Sequence, residues 1–394
     1  MLSLLAPDQI LAARDIGRRL GLSLPSVHHW LKILRQEDRV ETTTVSAKSP
    51  HVRYRLRRRE EQELPMWESS DLKLRHAVDL FPKAPFHFDA TLFKPDHFPS
   101  ADNCWQPGTR WQTTLWEGRP LGLRLQDHGT VDEPRIALSI WSSDELSPES
   151  LDGLIAELSY RYHLQYDLAE FNERFRDDPW VGPLIARWRG MRPINFLSLY
   201  EYLVVAIVLQ NAPVRRTVAM MQALFEAYGT PLSYDGKVLH TFWEPQRLES
   251  VSEEELRALK IGYRARSIKR VSTAFARGEV DEVALRFRPF EEQRRALLGI
   301  YGVGPASAWY ILSDVFHRLE VWTHISPWEQ KIYSKIFFNR EPDQDPPVPV
   351  DDLLSFFQER FGSHCMLVVH YIWEDLWWKR RKESIPWFER LIRL

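Results

Sequence analysis

Cysteine is almost absent from this chain: Cys104 and Cys365 are the only two in 394 residues, and they lie far apart. Such a pair excludes a disulfide framework and any four-cysteine zinc or iron–sulfur site, and it suits a reducing cytosol. Long apolar runs are missing too. Tyr202–Gln210 is short and flanked by polar residues, far below the ~20 residues that a membrane span needs. The opening Met1–Ala6 is a brief apolar run followed by Asp8 and a charged amphipathic stretch, which does not read as a secretory signal. No internal repeat is visible, and the Pro/Asp-rich stretch at 341–352 reads as a loop. A cytoplasmic protein with no membrane attachment, no metal and no cofactor is the expectation.

Hydrophobic residues make up 44% of the chain, enough for substantial cores, and the length calls for two or three domains. The net charge of −2 argues against a nucleic-acid partner, but charge is segregated. Residues 1–60 hold 12 Lys/Arg against 6 Asp/Glu, a local charge of +6, so the rest sums to −8. A basic arm on a neutral or acidic body suits DNA. Tryptophan is abundant, with 16 copies. Clusters such as Trp373, Trp377 and Trp378 suit either a core or aromatic platforms for bases.

The first 60 residues read as a winged helix-turn-helix. Ile10, Leu11, Ile16 and Leu20 recur at helical spacing over Asp8–Leu20, and Gly21 breaks that helix. Ser23–Arg35 forms a second helix with Pro25 in its first turn. Leu24, Val27, Leu31 and Leu34 then face a core, while Ser26, His28, His29 and Lys32 point outward as on a recognition helix. Val40–Val45 and His51–Leu56 alternate as a hairpin with Lys48, Ser49 and Pro50 at its tip, followed by Arg57, Arg58 and Arg59. His28, His29, Lys32, Arg53, Arg55 and Arg57 are the candidate DNA contacts here. A small adaptor that contacts protein through a solvated charge run is the competing reading.

Residues 61–76 read as a charged, irregular linker. From 77 to 185 the pattern is β-rich, with short strand-like runs at Phe86–Leu92, Arg110–Trp116, Leu121–Gln126 and Ile136–Trp141, then helices at Leu151–His163 and Asp167–Arg176. Residues 186–394 form a mostly helical domain, with every segment after Leu197 helical and loops at Gly229–Leu232, Arg286–Pro289, Tyr301–Gly304 and Asn339–Val350. The fold class is therefore α+β: a winged helix-turn-helix, a small antiparallel β domain and a helical core.

One segment carries the functional argument: Leu297-Leu298-Gly299-Ile300-Tyr301-Gly302-Val303-Gly304-Pro305-Ala306-Ser307-Ala308. A helix ends at Ile300, a tight turn carries two glycines, and a second helix starts at Pro305. Glycine permits backbone conformations closed to other residues and close approach to a ligand. The free N–H groups of the turn and the next helix then suit a phosphate, whatever the base sequence. An ordinary tight turn between helices is the alternative. The segment resembles the hairpin of the helix-hairpin-helix DNA glycosylases (HhH-GPD), and the likeness extends outward. Tyr162–Phe171, Gly190-Met191-Arg192-Pro193, Tyr200–Gln210 and Arg215–Gly229 resemble the entry to that family's core. Trp322–Lys335 follows at the family's interval, and Gly362–Trp378 resembles the closing helix of the 3-methyladenine glycosylase II group. The sheet at about 77–145 matches the extra domain shared by that group and the 8-oxoguanine glycosylases. Together the likeness covers roughly residues 77–380 and leaves the winged helix outside.

The resemblance implies base excision repair on double-stranded DNA containing a modified base, by a nucleoid-associated hydrolase, with a monomer expected. Such enzymes flip the target nucleotide into a pocket, because the glycosidic bond cannot be attacked inside the stack. Bifunctional members use a lysine as nucleophile two positions after the second hairpin glycine. Ala306 stands there, which points to base excision without strand cleavage. The family's catalytic aspartate falls at Ser326, a register supported by Lys331, Ile332 and Lys335. Serine supplies no negative charge. Three readings stay open: an engineered, inactive form of an aspartate enzyme; a member that uses Glu329, Glu320 or His324 instead; or a binder that has lost catalysis. His324 suits either a polar contact or a catalytic base. Trp328, and with it Trp309, suits either packing or the base pocket. By resemblance Gln210 and Asn211 plug the gap left in the duplex; otherwise they cap a helix end. Gly302, Val303, Gly304, Ala306 and Lys331 complete the DNA-binding candidates. The bulky aromatics of the helical half suit an alkylated or otherwise enlarged base. A non-catalytic DNA-binding regulator on the same scaffold is the alternative function.

Overall fold

The computed structural model describes residues 11–20, 24, 27–28, 31, 40–42, 53–56, 70–95, 98–320 and 322–392. The chain divides into two compact units, Met1–Glu68 and Ser69–Leu394. In the first, β1 (Leu11–Ala12) leads into a helix at Ala13–Leu20, and β2 (Val40–Thr42) and β3 (Arg53–Leu56) follow. The strands form an antiparallel sheet in the order β1-β3-β2, with Leu11 opposite Tyr54 and Val40 opposite Leu56. The helix expected from Asp8 thus starts later, because Leu11 and Ala12 give their backbone groups to β3 instead. Leu24, Val27, His28 and Leu31 are helical; Val27 and Leu31 are buried, His28 is exposed, and Leu24 is exposed where a core position was expected. His29, Lys32, Arg57 and the hairpin tip lie outside the described residues.

The second unit opens with β4 (Ser70–Asp71) and β5 (Lys73–Leu80), so strands begin inside the stretch 61–76 expected as a linker. The physical reason is visible in the sheet order β5-β9-β8-β7-β6. An edge strand tolerates, and is protected by, charged residues such as Lys73, Arg75 and Asp79, which imitate a linker in sequence. The remaining strands are β6 (Asn103–Gln106), β7 (Thr109–Trp116), β8 (Arg119–Asp127) and β9 (Ile136–Ser142), all antiparallel. Leu121, Leu123 and Leu125 on β8 and Leu138 and Ile140 on β9 alternate inward, as a period of two requires. They pack against Leu154 and Leu158 of the helix Pro148–Arg161. That helix starts on Ser147, whose hydroxyl accepts from Ser150 N at 3.2 Å, with Pro148 in the first turn.

Two further expectations change. Phe86–Leu92 is not a strand: Phe88–Leu92 is a short helix, started by His87, whose ring nitrogen accepts from Ala90 N at 3.3 Å. Nor is everything after Leu197 helical. β10 (Pro231–Tyr234) and β11 (Lys237–His240) form a hairpin over Asp235-Gly236, both at positive φ, and β10 pairs in parallel with β4. An Asp-Gly pair between apolar residues is a strong hairpin signal. Tyr234 then lies flat over Gly122, where a Cβ would sit 2.6 Å from its ring, and donates from its hydroxyl to Gln112 O at 2.8 Å.

The helices fall around two apolar clusters. One gathers Leu203, Ile207, Leu224, Phe225, Ile268, Leu297 and Ile311 under the hairpin region. The other gathers Ala90, Phe171, Trp309, Ile332, Phe357 and Tyr371, and so joins segments on both sides of position 185. Arg192 is fully buried beside it. Its guanidinium donates to His163 O and Leu164 O at 2.6 Å each, to Pro85 O at 3.1 Å, and to Lys83 O. Burial lowers its pKa to about 10, so it stays a cation whose charge is met by carbonyl dipoles.

Candidate nucleic-acid interface and active site

The hairpin is formed by the helices Phe290–Gly299 and Pro305–Asp314. Leu297 and Ile300 are buried and anchor the first helix, and Val303 N donates to Ile300 O at 3.1 Å to close the turn. Gly302 has φ +87°, a conformation that side chains resist, while a Cβ on Gly304 would meet only open space. Gly302, Gly304, Pro305 and Ala306 are exposed. The first turn of the second helix therefore presents its N–H groups at the surface, with Pro305 at its first position and no side-chain cap on Gly304.

Two other turns meet this one. Gln210, at the end of the helix Leu199–Leu209, donates from Nε2 to Gly302 O at 3.2 Å. Asn211 has φ +50° and its Nδ2 lies 3.4 Å from the Tyr263 hydroxyl, which donates to Gln210 O at 3.3 Å. The Arg264 guanidinium donates to the same carbonyl. Tyr263 is 56% exposed and follows Gly262 at φ +66°. Exposed Tyr301 on the hairpin has the guanidinium of Arg270 at 4.2 Å from its ring and that of Arg266 at 5.8 Å. The result is one surface of turn amides, exposed tyrosine rings and arginines. Sequence reasoning missed Tyr263, Arg264, Arg266, Arg270 and Tyr301. Their signal was Gly262-Tyr263-Arg264-Ala265-Arg266, in which basic and aromatic residues interleave beside a glycine.

Below the second hairpin helix, Ser326 starts the helix Pro327–Phe338. Its backbone N–H donates to Glu329 Oε2 at 2.9 Å and its hydroxyl donates to the same oxygen at 2.6 Å. The Tyr310 hydroxyl donates there as well, at 3.3 Å. Glu329 is buried, and burial raises its pKa above the usual carboxylate value against the pull of these hydrogen bonds and of His324. Burial, with Glu329 next, likewise raises the pKa of Tyr310. His324 packs beside Trp309 and Tyr310, at ring separations of 6.0 and 6.2 Å. Trp309 is buried, and its indole N–H has no partner among the described residues. Trp328 stacks on Trp373 at 4.5 Å.

Ser326, His324, Glu329 and Trp309 are thus brought together, and Tyr310 joins them. Lys331 lies half-buried on the same helix. Glu320 is engaged elsewhere, 3.7 Å from Arg318. Ala306 places no amine on the hairpin. His28, Arg53 and Arg55 belong to the first unit. Among the described residues no group of three or more His, Cys, Asp or Glu could hold a metal ion, and no helix is long and apolar enough to cross a membrane.

An exposed glycine hairpin, a buried Glu329 held by Ser326 and Tyr310, and an antiparallel sheet in the same unit go together with a DNA-glycosylase fold. Residues 204–356 match the profile of the "HhH-GPD superfamily base excision DNA repair protein" family. It is 25% identical over 235 residues to a probable N-glycosylase/DNA lyase of Methanothermobacter thermautotrophicus, across 55% of this chain and 72% of that protein. Its fold is similar to the 3-methyladenine DNA glycosylase from Archaeoglobus fulgidus, with a TM-score of 0.62 at 16% identity over 75% of this chain and 97% of that one. It is also similar to the Clostridium acetobutylicum 8-oxoguanine glycosylase/lyase in complex with double-stranded DNA, with a TM-score of 0.57 at 18% identity over 78% and 99%.

Proposed function

We propose that this protein is a monofunctional DNA glycosylase that flips a modified base out of duplex DNA and uses Glu329 where the family has an aspartate at position 326. The observation that carries this reading is the 2.6 Å contact between Ser326 Oγ and Glu329 Oε2, which sets a carboxylate beside the position that should bear one. Once ionised, Glu329 stabilises positive charge on the sugar as the base departs, or takes a proton from the attacking water. The hairpin amides hold a phosphate, Gln210 and Asn211 fill the vacated stack, and Tyr263 packs against an exposed base. Ala306 offers no Schiff-base nucleophile, so the strand stays intact, unlike the lyase named in the Methanothermobacter relative. Trp309, Trp328 and Trp373 suit an alkylated or enlarged base, and the basic first unit adds phosphate contacts.

One observation favours a second reading, a regulator that only binds DNA. Glu329 Oε2 already accepts three hydrogen bonds within the protein, which is also how a purely structural helix cap is built. A base-release assay on duplexes carrying alkylated, oxidised or deaminated bases separates the two. Release by the unchanged chain, lost by at least ~100-fold in Glu329→Gln and retained in Ser326→Asp, is the expected result. No release by any form on any lesion would leave the regulator. Release by Glu329→Gln at the parent rate would remove Glu329 from the mechanism.

A further inference from the structure

A further group of aromatic rings collects where the short helix Phe88–Leu92 meets the C-terminal helix Cys365–Arg380. Phe93 and Trp105 stack at 4.1 Å and 19°, and Trp378 meets them edge-on at 5.5 and 6.1 Å. Trp188, 5.4 Å from Trp378, continues the row inward. Trp105 is held by its indole N–H, which donates to Asp89 Oδ1 at 3.0 Å. The Trp378 indole N–H is buried with no acceptor among the described residues. Phe93, Trp105 and Trp378 are each half-buried.

Beside the rings the helix ends in Lys379-Arg380-Arg381-Lys382. Lys379 pairs with Asp375 at 2.7 Å and Arg380 lies 3.6 Å from Glu389. Arg381 and Lys382 are exposed, and among the described residues neither forms an ion pair. The Arg381 guanidinium is 4.9 Å from the Phe93 ring and 5.9 Å from Trp105. With the two rings only 4.1 Å apart, those distances place it beside the stack rather than on its end. Nothing in the hairpin, the Gln210–Tyr263 surface or the Ser326 cluster uses these groups.

We propose that Phe93, Trp105 and Trp378 form a stacking platform for an unpaired nucleobase, with Arg381 and Lys382 taking the adjoining phosphates: a second DNA contact, for a single-stranded stretch flanking the duplex. Rings that stack on any base, next to cations with no carboxylate to satisfy, are the chemistry that single strands select. A core role for the rings needs no exposed cations beside them. The inference rests on the reading that the protein binds DNA.

The test compares a blunt duplex with the same duplex carrying a ten-nucleotide thymidine overhang, by fluorescence anisotropy at three salt concentrations. The expected result is about tenfold tighter binding with the overhang. Trp105→Ala and the Arg381→Glu/Lys382→Glu pair each abolish that gain while leaving blunt-duplex affinity unchanged. The charge variant alone also reduces the salt dependence of overhang binding. The charge variant sits on exposed positions, so it keeps the test valid if Trp105→Ala fails to fold. Equal affinity for both DNAs in the parent chain, or a gain that survives the charge variant, overturns the platform. Failure of the parent chain to bind the blunt duplex overturns the DNA-binding reading itself.

Discussion

Glu157 offers the most quantitative test of how this fold is held together. It sits on the helix Pro148–Arg161 that covers the sheet, and its partners reach toward the hairpin side. Arg286 grips it with both guanidinium nitrogens, at 2.6 and 2.7 Å, and Arg161 Nε lies at 2.6 Å. Arg286 also binds Glu282 and covers the Tyr160 ring at 4.2 Å. Burial pushes the Glu157 pKa up, but the hydrogen bond from Arg286 and the two positive charges outweigh it and bring the value from 4.5 down to about 2. A difference of that size corresponds to about 3 kcal/mol of stability. The side chain is 15% exposed, so solvent screening removes little of it.

The sign follows from proton binding. Above pH 4.5 Glu157 is ionised in both states and the stabilisation is complete. Between 4.5 and about 2 the unfolded chain takes up a proton that the folded chain refuses, so stability falls with pH. Urea unfolding of the parent chain and Glu157→Gln should therefore differ by about 3 kcal/mol at pH 7. The gap should shrink by about 1 kcal/mol at pH 4 and about 2 kcal/mol at pH 3. A gap below about 1 kcal/mol at pH 7, or one that does not change with pH, would refute the reasoning.

Three further outcomes are expected. If Glu329 must be ionised for base release, the rate falls as pH drops through its raised pKa, with a midpoint above the ordinary carboxylate value; a flat single-turnover profile between pH 4 and 7 counts against that role. Gly302→Ala, at φ +87°, should cost about 1–2 kcal/mol in thermal unfolding, whereas Gly304→Ala, which meets open space, should leave the melting temperature unchanged and weaken duplex binding in anisotropy. His163 and His317 lie with ring centroids 3.6 Å apart, and burial lowers the pKa of both, of His163 to about 4. Both are neutral when folded, so stability should decline as pH falls from 6.5 toward 4, and His317→Phe should flatten that decline in pH-dependent urea unfolding.

The hairpin was legible because its signals are local. The two glycines, Pro305 and the flanking apolar residues specify the hairpin by conformational need, whereas the helix start at Ser326, marked by Ser-Pro with Glu three positions on, went unread. What else escaped depends on long-range pairing. β5 is charged because it is an edge, and β4 is a strand only because β10 lies beside it. Leu11 and Ala12 have apolar spacing that fits a helix, yet β3 claims them. The Asp235-Gly236 turn was readable and was passed over in a segment whose neighbours are helical. Tyr263 acquires its meaning only when Gln210, more than fifty positions earlier, is placed against it. The pairing of Glu329 with Tyr310 likewise requires the hairpin helix and the next helix to be packed first.

Arg192 has a consequence for how this protein meets a long polymer. Its guanidinium ties the loop after β5, the end of the sheet-covering helix and the entry to the helical core through four carbonyls. Each such bond to a charged donor is worth about 1.5–3 kcal/mol. Swinging the sheet away from the core would break several at once, against total stabilities of about 5–15 kcal/mol for a native domain. Clamshell opening between the two layers is therefore opposed by these bonds. A polymer laid across the two layers would meet a preformed surface, and adjustment would fall to the polymer and to the side chains of the surface turns.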